Sequence, residues 1–119
     1  MGVRLKRAYE PPAALDGYRV LIDRLWPRGV STHEAQLDEW ARELAPSSEL
    51  RRWFGHDPAK FGEFRRRYRE ELAVQEETLR ELRRRARAGT LTLVYGARDS
   101  EHNDAVVLAE LLRRGRRSQ

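Results

Sequence analysis

A carboxylate, two guanidinium groups and an indole follow directly after the apolar run Val20–Ile22. These side chains belong to Asp23, Arg24, Trp26 and Arg28. A carboxylate can move or orient a proton, arginines make forked contacts to phosphate or carboxylate oxygens, and an indole can stack on a base or a sugar. Because ligands of α/β sheets bind beyond the carboxyl ends of strands, this segment predicts a site.

A second polar segment follows the most regular strand pattern of the chain, residues 90–95. It contains Tyr95, Arg98, Asp99, His102 and Asn103. If the two strands are parallel neighbours, both segments reach one edge of the sheet, where the start of the last helix would attract an anion. The hypothesis makes Asp23, His102 and Tyr95 the catalytic groups. The ligand-binding groups are then Arg24, Trp26, Arg28, Arg98, Asp99 and Asn103.

Structural roles compete with these functional ones. Asp23 could pair with a nearby arginine or accept backbone amides simply to satisfy the end of a buried strand. His102 could donate to Asp99 within the first turn of the last helix, which is the commoner arrangement. We therefore expect Asp23 to be mostly buried and hydrogen-bonded to an arginine or to backbone amides, with Trp26 on the rim of a shared pocket.

Several site classes are excluded by the sequence. The chain has no cysteine, so thiolate chemistry and cysteine-ligated metals are absent. His33, His56 and His102 lack the spacing of metal ligands. There is also no phosphate-binding glycine motif and no Gly-x-Ser-x-Gly segment. We therefore predict neither a metal site nor a cofactor.

Strand and helix patterns alternate along the 119 residues. Residues 3–7, 18–23 and 90–95 predict strands. Ser31 to Glu34 form a capping box, and the helix that it begins should run to Leu44. A helical stripe over residues 58–87 would be about 45 Å long, so a break is expected near residues 73–76. Asp99 or Ser100 should cap the last helix.

This order predicts a small three-layer α/β sandwich with a short, mostly parallel sheet of three to four strands and helices on both faces. The length fits one domain over residues 1–119, with a frayed basic tail at residues 113–119. The net charge is +5, and nearly all the positive charge is arginine. Codon bias in a GC-rich genome explains this excess better than nucleic-acid binding does. No targeting or membrane-spanning pattern is seen, so we expect a cytoplasmic protein.

Three motifs resemble those of the domain-of-unknown-function family 488 (DUF488), in its short YeaO-like branch. They are DRLWPRG, WFGHDP and YGARDSEHNDAVVLAELL, and the similarity covers essentially the whole chain. The resemblance implies an α/β fold and a bacterial or archaeal cytoplasmic protein, but it supplies no activity. Longer relatives carry cysteines where this chain has residues 95–97 and 102–103, which argues against a thiol-based mechanism here.

The leading hypothesis is a small-ligand site at the carboxyl ends of the strands, for an anionic or nucleotide-like molecule, with hydrolytic or transfer chemistry left open. The alternative is a non-catalytic module that binds nucleic acid or protein through its arginine-rich surface. A protein whose aspartate–arginine cluster is purely structural comes third. The sequence does not decide whether the chain is an enzyme, nor its oligomeric state.

Overall fold

Four parallel strands form one sheet in the computed structural model, which describes residues 2–115. Their order across the sheet is β1, β4, β2, β3. The strands are β1 (Gly2–Arg7), β2 (Tyr18–Leu21), β3 (Glu39–Trp40) and β4 (Thr90–Tyr95). The central strand β4 is almost entirely buried because it is covered on both faces, as its continuous apolar sequence predicts.

The pairing of β2 with β4 sets the position of the site. The two strands are parallel, with Val20 opposite Leu93 and Leu21 opposite Val94. The loops that follow them therefore leave the same edge of the sheet, as predicted. The amide of Ile22 extends this pairing by donating to the carbonyl of Val94 at 3.2 Å.

Five α-helices accompany the sheet within the described residues. They are α1 (Thr32–Ala35), α2 (Ser48–Phe54), α3 (Phe61–Leu72), α4 (Glu76–Ala88) and α5 (Asp104–Gly115). The predicted break in the long helical stripe is confirmed, since α3 ends at Leu72 and α4 begins at Glu76. Three short 3-10 turns lie at residues 14–16, 42–44 and 58–60.

The helix predicted from the capping box to Leu44 is wrong beyond its first turn. Ser31 and Glu34 form the expected box, but Gln36 is left-handed at φ 45° and ends α1. The chain then pairs with the open edge of β2: Asp38 donates its amide to the Arg19 carbonyl, and the Asp38 carboxylate accepts the Arg19 amide. The apolar pattern of this segment fits either a helix or a strand. The hydrogen bonds that the segment makes with the edge of β2 decide in favour of the strand.

The last helix also begins later than predicted. Asn103 is the residue before α5, and its Oδ1 accepts the Val106 amide at 2.9 Å. Asp99 instead closes the preceding turn by accepting the amides of Glu101 and His102. At the other end, Arg113 lies in α5 and donates to the Val3 carbonyl, so helix rather than a frayed tail continues to residue 115. The rest of the predicted tail, residues 116–119, lies outside the described residues.

Two apolar layers cover the sheet. The larger one joins Val20, Leu91 and Leu93 to helices α2 to α5. The thinner one, on the opposite face, joins Leu21 and Val94 to the loops around α1 through Trp26, Leu37 and Trp40. The predicted three-layer sandwich is confirmed, with one thick helical layer and one thin layer that contains α1.

Candidate functional site

A cavity of about 350 Å³ opens at the carboxyl ends of β2 and β4. Five segments enclose it: the loop after β2, helix α2 with the residues just before and after it, helix α3, the loop after β4, and the start of α5. Its lining residues are Asp23, Arg24, Leu25, Pro46, Arg51, Arg52, Phe54, His56, Phe64, Gly96, Ala97, Asn103 and Asp104. We call this cavity the carboxyl-end pocket.

Two carboxyl groups meet in the carboxyl-end pocket. Asp23 Oδ2 accepts the Gly96 amide at 2.8 Å, and its carboxyl group is within hydrogen-bonding reach of Asp104. Gly96 is required by this approach, because a Cβ at that position would lie 3.1 Å from Asp23 Oδ2. Both aspartates are half-buried. The expected amide partner of Asp23 is present, but its second partner is an acid rather than an arginine.

Burial raises the pKa of both carboxyl groups, and the charge of Asp23 adds to the rise at Asp104. Burial raises the pKa of Asp23, while the hydrogen bonds from Asp104 and Gly96 and the charges of Arg51 and His56 lower it in part. Burial and the charge of Asp23 raise the pKa of Asp104 well above its ordinary range. Two adjacent carboxylates cannot both ionise easily. The pair therefore retains a proton at pH values at which isolated aspartates have lost theirs.

Three arginines lie around these acids. Arg51 and Arg52 come from α2, and Arg24 from the loop after β2, where its Nη2 donates to the Pro46 carbonyl at 3.3 Å. Over residues 2–115, no carboxylate lies within ion-pairing distance of these three guanidinium groups. All three are exposed and available to a negatively charged ligand.

Helix α2 is anchored so that its arginines reach the pocket. Ser47 caps it by accepting the Leu50 amide at 3.1 Å. Glu71 of α3 in turn accepts both the amide and the hydroxyl of Ser47, at 2.8 and 2.6 Å. This double contact ties the start of α2 to α3.

His56 lies in the wall of the pocket, in the turn that follows α2. Its backbone is left-handed, with φ 58°, a conformation that disfavours L-residues by about 1–2 kcal/mol. The ring lies beside Phe54, with 6.1 Å between ring centroids. A strained residue at a pocket wall is a common feature of binding sites.

Three of the residues predicted from the sequence line the pocket: Asp23, Arg24 and Asn103. Trp26 does not, because its Nε1 donates to the Val30 carbonyl and its ring contacts Trp40 at 5.2 Å. Arg28 and Arg98 are exposed and lie outside the lining. Neither Trp26, expected on the rim, nor Arg98, expected inside, is among the residues that line this pocket.

Tyr95, Asp99 and His102 belong to a neighbouring cluster. Tyr95 is only 3% exposed in the core. His102 Nδ1 lies 2.9 Å from Asp99 Oδ2, and the His102 ring meets the edge of Phe61. Asn103 Nδ2 donates to the Asp99 carbonyl at 2.7 Å. This cluster shapes the turn before α5, which is the structural role considered for His102, and the pocket does not include Tyr95 or His102 among its lining residues.

Sequence reasoning missed four pocket residues: Arg51, Arg52, His56 and Asp104. Arg51 stands two residues after Glu49 and cannot pair with it along a helix face, whereas Arg52, three residues after it, could. Asp104 stands beside Asn103 in the motif that was recognised, but an incorrect start for α5 hid its position. Neither sequence feature predicts a site by itself. These residues reach one cavity only because α2 packs beside the carboxyl ends of the strands.

Two further site classes can be judged from the described part of the chain. Across residues 2–115, no group of three or more histidine, aspartate or glutamate side chains is arranged to hold a metal ion. Among the helices within that range, none has the length and apolar character needed to cross a bilayer.

Comparison with known proteins gives a consistent family. A family model described as "Inactive DUF488-N3 subclade" matches residues 2–119. The uncharacterized protein YeaO of Escherichia coli (strain K12) is 43% identical over 113 residues, which cover 95% of this chain and 98% of that protein. An uncharacterized protein of Mycobacterium tuberculosis (strain H37Rv) is 42% identical over 110 residues, or 92% of each chain. No solved structure gives a significant match. The resemblance to the YeaO-like branch is therefore confirmed, and the chain belongs to the inactive DUF488-N3 subclade.

Proposed function

We propose that this chain is a cytoplasmic protein that binds a small anionic molecule in the carboxyl-end pocket without converting it. The observation that carries the proposal is the presence of Arg24, Arg51 and Arg52 around one cavity, with no carboxylate within ion-pairing distance over residues 2–115. By contrast, seven arginines of α3 and α4 are paired with glutamates. An uncompensated cluster at a cavity is the arrangement that a phosphate or carboxylate group requires.

The size and polarity of the pocket fit a molecule such as a nucleotide or a sugar phosphate. A volume of about 350 Å³ lies in the range of small-molecule sites. Phe54, Phe64 and Leu25 provide apolar walls, and Asn103 and the two aspartates provide hydrogen-bonding groups. In this arrangement the arginines hold the anionic end, while Asp23 and Asn103 orient the remainder.

Binding is favoured over hydrolytic or transfer chemistry by two features. A carboxyl pair can act as acid and base, but Tyr95 and His102, the expected catalytic partners, lie outside the pocket lining. The subclade is also described as inactive. The proposed role of Asp23 is therefore to orient the ligand, and turnover of a phosphate ester by the purified protein would contradict it.

A nucleic-acid-binding surface is the weaker alternative. Most arginines of α3 and α4 are engaged by acidic neighbours: Arg66 and Arg67 pair with Glu63, and Arg84 and Arg85 pair with Glu81. This pairing leaves less free positive charge on the two helices with which to neutralise phosphates.

The proposal is tested by titrating the full chain with inorganic phosphate and with adenosine 5′-monophosphate, using calorimetry or NMR shifts. Replacing Arg51 and Arg52 with glutamine should weaken binding of both probes by about tenfold or more, because each charge-assisted hydrogen bond contributes about 1.5–3 kcal/mol. Arg80→Gln is the matched control, since Arg80 is 66% exposed on α4 and lies outside the pocket. Equal affinities in the double variant, or no binding by the unmodified chain, would contradict the proposal.

A further inference from the structure

The carboxyl pair faces the same cavity as the cationic groups, which ties its protonation to the occupancy of the pocket. Resting on the function proposed above, we propose that an anionic ligand enters the carboxyl-end pocket together with a proton, and that the Asp23–Asp104 pair holds that proton.

The carboxyl pair and the arginines lie close to each other in the pocket. Asp23 and Asp104 are close enough for their carboxyl groups to share a hydrogen bond, and both line the cavity. The charges of Arg51 and His56 act directly on Asp23 and favour its ionised form. An anion bound at Arg51 neutralises that charge and adds its own, so ionisation of the pair becomes less favourable. The occupied pocket therefore takes up a proton.

The reverse effect has the same size, because coupling between two binding equilibria is reciprocal. A protonated pair removes one negative charge from the pocket and strengthens the attraction between Arg51 and the ligand. Affinity for an anion should therefore rise as the pH falls. A pocket of this kind also discriminates by charge, since a cation would instead be bound with release of the proton.

The groups that face the pair come from four elements. Arg24 lies on the same loop as Asp23, and Arg51 and His56 belong to α2 and the turn that follows it. Tyr68 of α3 is fully buried. Burial is the main reason that the pKa of its hydroxyl lies well above the usual range, and the charges of Asp104 and Asp23 raise it further. The hydroxyl therefore stays neutral. His56 is the histidine that lines the cavity, so its contribution has to be separated from that of the carboxyl pair.

The probe is sulfate, whose charge does not change between about pH 5.5 and about pH 8, the interval in which histidine also titrates. Calorimetric titration of the full chain should give an affinity higher at the lower pH by on the order of tenfold. Repeating the titration in buffers of different ionisation enthalpy should show net proton uptake. In Asp104→Asn, the pH dependence should shrink, and sulfate should bind more tightly than to the unmodified chain at about pH 8.

Two variants separate the pair from other acids and from His56. Asp99→Asn changes an aspartate outside the pocket lining and should keep the full pH dependence. His56→Gln should keep proton uptake as well, and this result supports the proposal even if Asp104→Asn does not fold. Proton uptake that is lost in His56→Gln overturns the proposal, as does sulfate binding that is independent of pH. If sulfate binds at neither pH and phosphate also fails to bind, the proposed function itself is wrong.

Discussion

For Asp23, the hydrogen-bond partners in the structure differ most from those that the sequence predicts. Its place at the end of a buried strand predicts a partner, and an arginine is the obvious choice. Its carboxylate instead accepts the Gly96 amide and meets Asp104. Replacement of Asp23 by alanine would therefore remove the hydrogen bond to Asp104 and the acceptor of the Gly96 amide rather than leave a buried arginine unpaired, and the large destabilisation expected from an ion pair does not apply.

The aspartate pair makes stability depend on pH with a definite sign. Burial raises the pKa of both groups in the folded chain, and the charge of Asp23 raises the pKa of Asp104 further. The folded state consequently binds more protons than the unfolded state above about pH 4, where isolated aspartates ionise. The stabilisation is complete below that pH and is lost as the pH rises through the higher folded-state pKa. The slope is at most about 1.4 kcal/mol per pH unit for one proton.

We predict that Asp104→Asn flattens this decline. Urea unfolding between about pH 5 and about pH 8 should show a smaller loss of unfolding free energy in the variant than in the unmodified chain. Asp99→Asn serves as the control, because hydrogen bonds from Glu101 and His102 lower the pKa of Asp99, so it does not contribute in this interval. Identical slopes for Asp104→Asn and the unmodified chain would show that the pair does not share a proton.

The pocket residues that follow a strand end could be predicted from the sequence, whereas the pocket residues on helix α2 could not. Asp23, Arg24 and Asn103 follow β2 and β4 closely, so parallel pairing alone brings them to one edge. Arg51 reaches the pocket only because α2 is tied to α3 through Ser47 and Glu71. No local pattern encodes that contact, because it joins residues 24 positions apart.

Among the elements, the turn before β2 has the tightest geometric requirement. Asp16 is 1% exposed and accepts from Lys6, Arg19 and the Ala13 amide. Burial acts to raise the pKa of Asp16, but these hydrogen bonds outweigh it, and the pKa is lowered. The turn closes at Gly17, whose φ is +65° and which packs directly on β4.

We predict that Gly17→Ala destabilises the fold by on the order of 3 kcal/mol. A methyl group there would lie 2.2 Å from the Thr90 carbonyl oxygen, and the left-handed backbone adds its own strain. Gly62→Ala is the matched control: no atom lies within 4 Å of its Cβ position, and it sits in helix α3, where alanine is preferred by about 1 kcal/mol. Urea midpoints should fall for the first variant and hold or rise for the second. A Gly17→Ala chain as stable as the original would refute this account of the turn.

Elements with long, regular patterns could be predicted, whereas the segment after α1 could not. The stripe of α3 and α4 and the run of β4 need no partner to be recognised. Residues 37–44 carry apolar side chains at helical spacing, yet they form an edge strand and a 3-10 turn because the edge of β2 requires hydrogen-bond partners. Where a local pattern fits both a helix and a strand, contacts with the rest of the sheet determine which of the two forms.

At the scale of the whole molecule, the positive charge is unevenly compensated. The net charge is +5, and ion pairs engage many arginines of α3 and α4. Glu110 of α5 also binds Arg65 and Arg69, which joins two helices of the thick layer. Within the described chain, arginines without such partners face the carboxyl-end pocket and also a second cavity, which Arg83, Arg87 and Arg113 line.

This distribution of charge predicts that the full chain binds nucleic acid weakly and that the affinity depends only modestly on salt concentration. Affinity for a random DNA duplex, measured by fluorescence polarisation between about 50 and 200 mM salt, should fall with a slope that corresponds to only two or three phosphate contacts, about −2 to −3 on logarithmic axes. Glutamate-paired guanidinium groups cannot release the counterions that a steep slope needs. Replacing Arg51 and Arg52 with glutamine should leave duplex binding almost unaltered while phosphate binding is weakened by about tenfold or more. A slope that indicates six or more contacts would instead make the arginine surface the functional one, and the carboxyl-end pocket would lose its priority.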